Sequence, residues 1–559
     1  MATKKTEIGN RAAETTTAFN PVVGAQFSEL FKSAAHVAGQ ATRHPGVVGR
    51  HVFGFMQDAA SIVRGKSELS PSARDRRFTD PTWTSNSFYR QLLQLWIAAR
   101  ASVTECIEDF DLERADLART ALLADIVMDS LAPTNTLLGN PAAVKRFYET
   151  GGRSLLRGLR NAYDDFISGN GLPAQVDSRK FEVGSNLAST EGAVVFRNDM
   201  LELIQYAPQT EKVHAIPLLI IPPQINKFYV LDLTPEKSMI RYLVGQGYRV
   251  FCVSWFNPGP AQESWDLERY VKAVIKAMDV MRDITRQRKL NVMGACSGGI
   301  TISTALSHLA AVGDDRVNSC TLTVCLLVPK PDDTEFGALM TEASVEYARS
   351  KSAKKGILSG KELAKSFAWM RPNDLIWNYF VNNYLLGEDP PAFDVLHWNN
   401  DSTNLSAAVH SDFLDFFVDS PFARPGTQQF MGQPLDLSTV KQDIFISSGL
   451  TDHITPWRAC YRSIKLFGGD VTFVVSTSGH IQSLINPPGN PRARYLTSSV
   501  KTDDTTEWLN HAEEHSGSWW VMWNDWLDVR SGAMQNTPRK LGNAQYPPLD
   551  KAPGLYVFG

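Results

Sequence analysis

The stretch "LNVMGACSGGIT", residues 290–301, decides how the chain folds. Its first half is apolar enough to be a buried strand. Gly294, Gly298 and Gly299 then bracket a tight turn, and a helix begins behind them. Small residues at these positions suit a sharp strand–turn–helix whose apex side chain stands clear of the sheet. The apex is Cys296, in the pattern G-x-C-x-G. A G-x-G-x-x-G fingerprint and a phosphate-loop lysine are both absent from this turn, so it is not a dinucleotide or nucleotide cradle.

The surroundings agree with a strand-to-helix turn. After residue 185 short branched-apolar runs alternate with helical segments. "GAVVF", "LELIQYA", "IPLLIIPP", "YRVFCVSW", "KLNVMGAC", "CTLTVCLLV", "DIFISSGL" and "DVTFVVST" read as eight strands. "TPEKSMIRYLVGQG" and "DLERYVKAVIKAMDVMRDITRQ" read as helices between them. Near-continuous apolar strands with intervening helices predict a mostly parallel sheet covered on both faces. With the elbow at Cys296, that is an α/β-hydrolase fold, predicted over 186–559. About 115 residues separate the sixth strand from the seventh, too many for a loop. The interval, about 329–442, is predicted to be an inserted cap. Residues 21–185 carry helical periodicity, as in "SFYRQLLQLWIAARASVTECIEDF", and predict an all-helical N-terminal domain. Residues 1–20 are expected to be disordered.

Composition sets outer limits. The 559 residues are too many for one ordinary core. Lys plus Arg is 56 and Asp plus Glu is 59, a net charge of −3. That balance argues against nucleic acid or an anionic membrane as the main partner. The six cysteines, at 106, 252, 296, 320, 325 and 460, form no CxxC pair and no Cys/His cluster with zinc spacing. No metal site is expected, and a reducing cytoplasm fits such usage. The first 20 residues have no apolar run of a secretory signal, and no stretch approaches the roughly 20 apolar residues of a membrane span.

A single cysteine after a strand is commonly inert packing. Two further residues change that balance. Asp452 follows the seventh strand and His480 follows the eighth, the order nucleophile, acid, base that an elbow enzyme needs. His480 would take the Cys296 proton and Asp452 would hold the imidazole tautomer. Alone, Asp452 would pass for a turn residue and His480 for a loop histidine. His453, beside Asp452, is the rival base; neighbours after a strand point apart, so it is assigned a supporting place. The oxyanion donors are expected to be the backbone N–H of Ser297 and that of Gln224 or, preferred, Ile225, from "IPPQINKFYVLDL". Cys320 and Cys325, five apart on the sixth strand, are predicted to face opposite sides of the sheet.

Sulfur narrows the reaction. A thiolate exchanges with a thioester at little cost, and the acyl enzyme keeps its activation for the next acceptor. From chemistry alone, two classes stand: an acyltransferase using CoA thioesters, and a cysteine hydrolase.

Segments along most of the chain then carry a resemblance. "ARDRRFTDPTW", "LAPTN", "IPPQINKFYVLDL", "VSWFNP", "GACSGGIT", "RPNDLIWNYFVNNYLLG", "DHITPW", "GHIQSLINPPGNP" and "GSWWVMWNDWL" together resemble the polyhydroxyalkanoate synthases, most closely the medium-chain-length type. The resemblance implies polymerisation of (R)-3-hydroxyacyl-CoA into polyester with release of CoA. It implies Cys296 as acyl and chain carrier, His480 as its activator, and Asp452 orienting His480 or assisting attack by the 3-hydroxyl. No cofactor is implied, since the CoA thioester is the substrate. A homodimer on the surface of cytoplasmic polyester granules, in contact with phasin-type granule proteins, is also implied. Cys325 and Gln482 would lie beside the acyl pocket. Two departures touch that pocket: "CLLVPK" stands where many members end the strand in Leu-Leu-Asp, and Cys325 stands where medium-chain members often have Ser. The alternatives are a thioesterase or polyester hydrolase with a cysteine nucleophile, and a granule-binding structural protein.

Overall fold

In a computed structural model the described residues are 27–72, 75–167, 171–330, 333, 341–370 and 372–559. The leading segment expected to be disordered lies outside them. Among the described residues, apart from the single helical turn Thr82–Ser85, six helices come first: α1 Phe27–Arg43, α2 Pro45–Val63, α3 Ser87–Glu108, α4 Arg114–Ser130, α5 Pro141–Glu149 and α6 Arg153–Ile167. Asn86 and Asn140 start α3 and α5 by accepting the first free N–H groups, as capping residues do. Phe78, Trp83, Leu93, Trp96 and Met128 form the small core of this region.

From residue 186 on, the described residues form three two-stranded ribbons and one ten-stranded sheet. Its strands are β1 Gly192–Arg197, β2 Leu201–Tyr206, β3 Leu218–Ile221, β4 Val250–Trp255, β5 Leu290–Ala295, β6 Val317–Thr323, β7 Asp443–Gly449, β8 Val471–Ser476, β9 Arg494–Thr497 and β10 Glu513–Ser516. They lie in the order β1-β2-β4-β3-β5-β6-β7-β8-β9-β10. The six central strands, β4 to β8 in that order, run parallel, with antiparallel pairs at both edges. β3, β4 and β5 are buried along their whole length, as a sheet covered on both faces requires. One face is covered by α8 Leu267–Thr285 and α9 Ser297–Ala311, packed through Val271, Val274, Met278, Ile302 and Leu306. The other carries α7 Met239–Gly245 and α16 Trp519–Asp528, where Trp519, Trp520, Trp523 and Leu527 are fully buried.

The predicted fold class holds, and three details of the sheet differ. β9 and β10 were not foreseen, because "RYLT" and "EEHS" are short, polar and partly exposed edge strands without an apolar alternation. β6 ends at Thr323 rather than running to Val328, because Val324 turns to φ 44°. Cys325 is therefore off the strand, and it joins Cys320 in the same core cluster instead of facing the opposite side. The parity rule fails where the extended backbone stops.

Between β6 and β7 the chain forms α10 Glu342–Lys355, α11 Gly360–Met370, α12 Asp394–Asn400 and α13 Ala407–Asp419, with π-helical turns at Asn373–Trp377 and Val381–Leu385. This interval is not all outlying: Val409, Phe413, Phe416, Leu435 and Val440 enter the main core. The helical region docks on it through α6. Tyr384 carbonyl approaches so closely that a Cβ on Gly158 would sit 1.8 Å away. Asn161 Nδ2 donates to Asn383 O at 3.1 Å, and Tyr384 hydroxyl donates to Asp165 at 2.8 Å.

Candidate active site

Cys296 sits at φ 50°, ψ −121°, between β5 and α9. A non-glycine residue there is strained, and such strain persists only where the surroundings impose it. The neighbours do so by near-contact. A Cβ on Gly294 would lie 2.7 Å from Gly299 Cα; one on Gly298 would lie 2.3 Å from Ile221 O; one on Gly299 would lie 2.5 Å from Cys325 Sγ. All three glycines of the opening stretch are thus required by close approach. Cys296 N–H donates to Thr323 O at 3.0 Å, tying the apex to β6. The Cys296 side chain is half-buried at the N-terminus of α9, where unpaired N–H groups favour negative charge.

Asp452 follows β7 and precedes α14 Trp457–Tyr461, and His480 opens α15 His480–Leu484 after β8. Gly449 lets the two loops meet, since a Cβ there would lie 2.6 Å from Ser478 O. His480 Nδ1 donates to Asp452 Oδ2 at 2.7 Å, and both side chains are fully buried. Asp452 Oδ1 accepts from Ile454 N at 2.8 Å and Thr455 N at 2.9 Å, and Oδ2 accepts from Thr455 Oγ1 at 2.7 Å. Burial opposes charge on both partners, and each outweighs that penalty for the other. Asp452 is held below the usual carboxylate range by the imidazole and these donors. His480 is raised well above the ordinary imidazole value by the carboxylate, with Cys296 adding to the rise through its hydrogen bond and charge. The structure therefore brings Cys296, Asp452 and His480 together, 156 and 28 residues apart in the chain. His453 is half-buried beside Asp452, and the imidazole bonded to that carboxylate is His480.

The oxyanion candidates separate. Ser297 N–H is at the first turn of α9. Gln224 N–H donates to Ser297 Oγ at 3.3 Å, while Ser297 hydroxyl donates to Gln224 Oε1 at 2.8 Å. Gln224 Nε2 donates to Thr301 Oγ1 at 2.7 Å. Gln224 thus serves as a strut between the β3 loop and α9, and its N–H is engaged there. Ile225, 1% exposed, is the next residue along the same loop. Cys325 packs against Gly299 in the first turn of α9, and burial pushes its thiol up. Gln482 is half-buried on α15, two residues beyond His480.

Two supporting groups escaped the sequence. Thr455 was readable, since Asp with Thr three residues on is a turn-capping pattern. The Trp519 indole, which donates to Ser483 O at 2.7 Å and so anchors α15, had no local signal. Among the described residues no group of three or more His, Cys, Asp or Glu could hold a metal ion. No helix among them is long and apolar enough to cross a membrane.

Comparison with known proteins matches these elements. A family model described as "Poly-beta-hydroxybutyrate polymerase (PhaC) N-terminus" covers residues 74–243, and one described as "alpha/beta hydrolase fold" covers 217–487. "Poly(3-hydroxyalkanoate) polymerase 1" of Ectopseudomonas oleovorans is 48% identical over 551 residues, 99% of this chain and 98% of that protein. "Poly(3-hydroxyalkanoate) polymerase 2" of the same organism is 48% identical over 96% of each chain. "Poly(3-hydroxyalkanoate) polymerase subunit PhaC" of Cupriavidus necator is 38% identical over 90% of this chain and 87% of its own. At that identity and coverage, on an α/β-hydrolase sheet with a cysteine elbow, the chain belongs to the poly(3-hydroxyalkanoate) polymerase family.

Proposed function

We propose that the protein polymerises (R)-3-hydroxyacyl-CoA into polyester, with Cys296 as the acyl carrier, His480 as the base and Asp452 orienting it. The supporting observation is the buried 2.7 Å bond from His480 to Asp452 behind a strained cysteine apex, in a chain whose relatives at 48% identity are named polymerases. His480 Nδ1 is occupied by Asp452, so Nε2 takes the Cys296 proton. The thiolate attacks the thioester carbonyl, forming a C–S bond and an oxyanion that the N–H groups of Ser297 and Ile225 receive. Collapse breaks the bond to CoA, whose sulfur takes the proton from His480. The 3-hydroxyl of a second acyl unit then loses its proton to His480 and attacks the Cys296 thioester. An ester forms, and the cysteine sulfur leaves with that proton.

Sulfur suits this cycle because the carrier bond is as activated as the substrate bond. The raised His480 is a stronger base than an ordinary imidazole, which suits it to take the Cys296 proton. Cys325 and Gln482 stand beside the elbow and the His480 helix, where they would contact the acyl side chain. We place the enzyme as a homodimer at a cytoplasmic polyester surface, in keeping with its family. The test is purified protein with 3-hydroxybutyryl-CoA and 3-hydroxyoctanoyl-CoA side by side. Free CoA with insoluble polyester supports the proposal. Free CoA with only 3-hydroxy acid would make it a thioesterase instead.

A further inference from the structure

The loop after β3 has no ladder to hold it, yet its conformation sets where the Ile225 N–H points. The peptide between Gln224 and Ile225 is planar, so fixing its carbonyl also fixes that N–H. Gln224 O accepts from Thr403 Oγ1 at 2.9 Å, and Ile225 O accepts from Thr403 N at 3.4 Å. Asn226 and Ser402 form an antiparallel bridge. Thr403 belongs to the inserted segment after α12, so the insertion itself clasps the loop. Two residues beyond Ile225, Lys227 fastens that clasp. Its ammonium, on a side chain 8% exposed, lies 2.8 Å from Asp401 Oδ1 and donates to Val557 O at 2.7 Å. Asp401 Oδ2 accepts from Tyr229 hydroxyl at 2.9 Å, and Lys227 O accepts from the Trp398 indole at 2.8 Å. One buried cation therefore joins the loop, the insertion and the C-terminal tail. Burying an ammonium is costly even when paired, and an apolar side chain would fill the space more cheaply.

We infer that Lys227, through Asp401, is a positioning residue that holds the Thr403 clasp on the peptide between Gln224 and Ile225 and so aims the Ile225 N–H at the reacting carbonyl. The inference rests on Cys296 being the acyl carrier. It separates two reactions of the same sulfur. Acylation by a thioester develops an oxyanion; alkylation by iodoacetamide does not. Only the first needs the aimed N–H.

The full-length Lys227→Met and Thr403→Val variants are compared with the parent in single-turnover CoA release from 3-hydroxybutyryl-CoA and 3-hydroxyoctanoyl-CoA. Cys296 alkylation by iodoacetamide is followed in parallel by peptide mass spectrometry. The expected result is acylation slowed by about 10-fold to 100-fold, alkylation within about twofold, and Thr403→Ser near the parent. Unchanged acylation, or acylation and alkylation falling together, would overturn the inference. If Lys227→Met does not fold, Asp401→Asn and Thr403→Val read the same ratio. A Cys296→Ala control that still forms polyester would sink the acyl-carrier assignment and this inference with it, a result distinct from a normal ratio in an active parent.

Discussion

Replacing Gly298 by alanine tests the geometry of the elbow with one methyl group. That methyl would sit 2.3 Å from Ile221 O, 2.7 Å from Pro222 O and 2.9 Å from Pro222 C. All three atoms are backbone, so no side chain can swing aside. Ordinary contact needs about 3.5 Å, so α9 and the end of β3 must part by about 1 Å. Overpacking of this kind costs about 1–3 kcal/mol of stability. The kinetic penalty should be larger relative to its background. The displaced pieces are the turn that carries Cys296 and the loop that carries Ile225, and a misplacement of about 1 Å costs about 100-fold. Thermal unfolding and steady-state CoA release are measured on the same preparation. A matched control is Gly245→Ala at the end of α7, where nothing lies within 4 Å of the added methyl. There stability should stay level or rise by about 0.5–1 kcal/mol, with activity unchanged. A Gly298→Ala protein with parental Tm and kcat/KM within about twofold would refute the close approach and the elbow built on it.

His480→Gln should lose nearly all turnover while His453→Gln keeps much of it, read by CoA release; the reverse order would move the base to His453. Thr455→Val removes a donor to Asp452 Oδ2, and loss of a hydrogen bond to a charged group should cost about 1.5–3 kcal/mol of stability, read by denaturant unfolding, with kcat lowered as the imidazole loosens. The paired His480 gives a pH signature. Its folded value is raised toward about 10, so its contribution to stability is whole below the unfolded value of about 6.5 and is lost as pH climbs toward 10. The stability gap between the parent and Asp452→Asn should therefore narrow from pH 6 to pH 10, whereas a gap that is flat or widens would refute the charged pair. Asp452, being lowered, loses its own share only as pH falls through the carboxylate range.

Much of the catalytic half was legible because its signals are local. The parallel strands are continuous apolar runs, and burial on both faces leaves no other composition workable. The elbow was legible because three glycines stand where contacts between 2.3 and 2.7 Å forbid a Cβ. Asp452 and His480 were found from their places after β7 and β8, since the order of strands dictates which loops gather at one end of the sheet. β9 and β10 were missed because polar edge strands are specified by the strand they pair with. Cys325 was misplaced because an extended strand was assumed past Val324, whose positive φ has no signature in a β-branched residue.

By itself the sequence determined the eight apolar strands of the sheet, the sulfur at its apex and the order of the three chemical groups, because periodicity and spacing along the chain carry them. Tertiary structure alone decided that Gln224 braces the loop against Ser297 and Thr301, that the Trp519 indole anchors α15, and that Lys227 meets Asp401 and the Val557 carbonyl. The partners in that last contact are 174 and 330 residues from Lys227 along the chain. No pattern in a single sequence encodes such a meeting, because the ordering of the intervening chain that makes it possible is the fold itself.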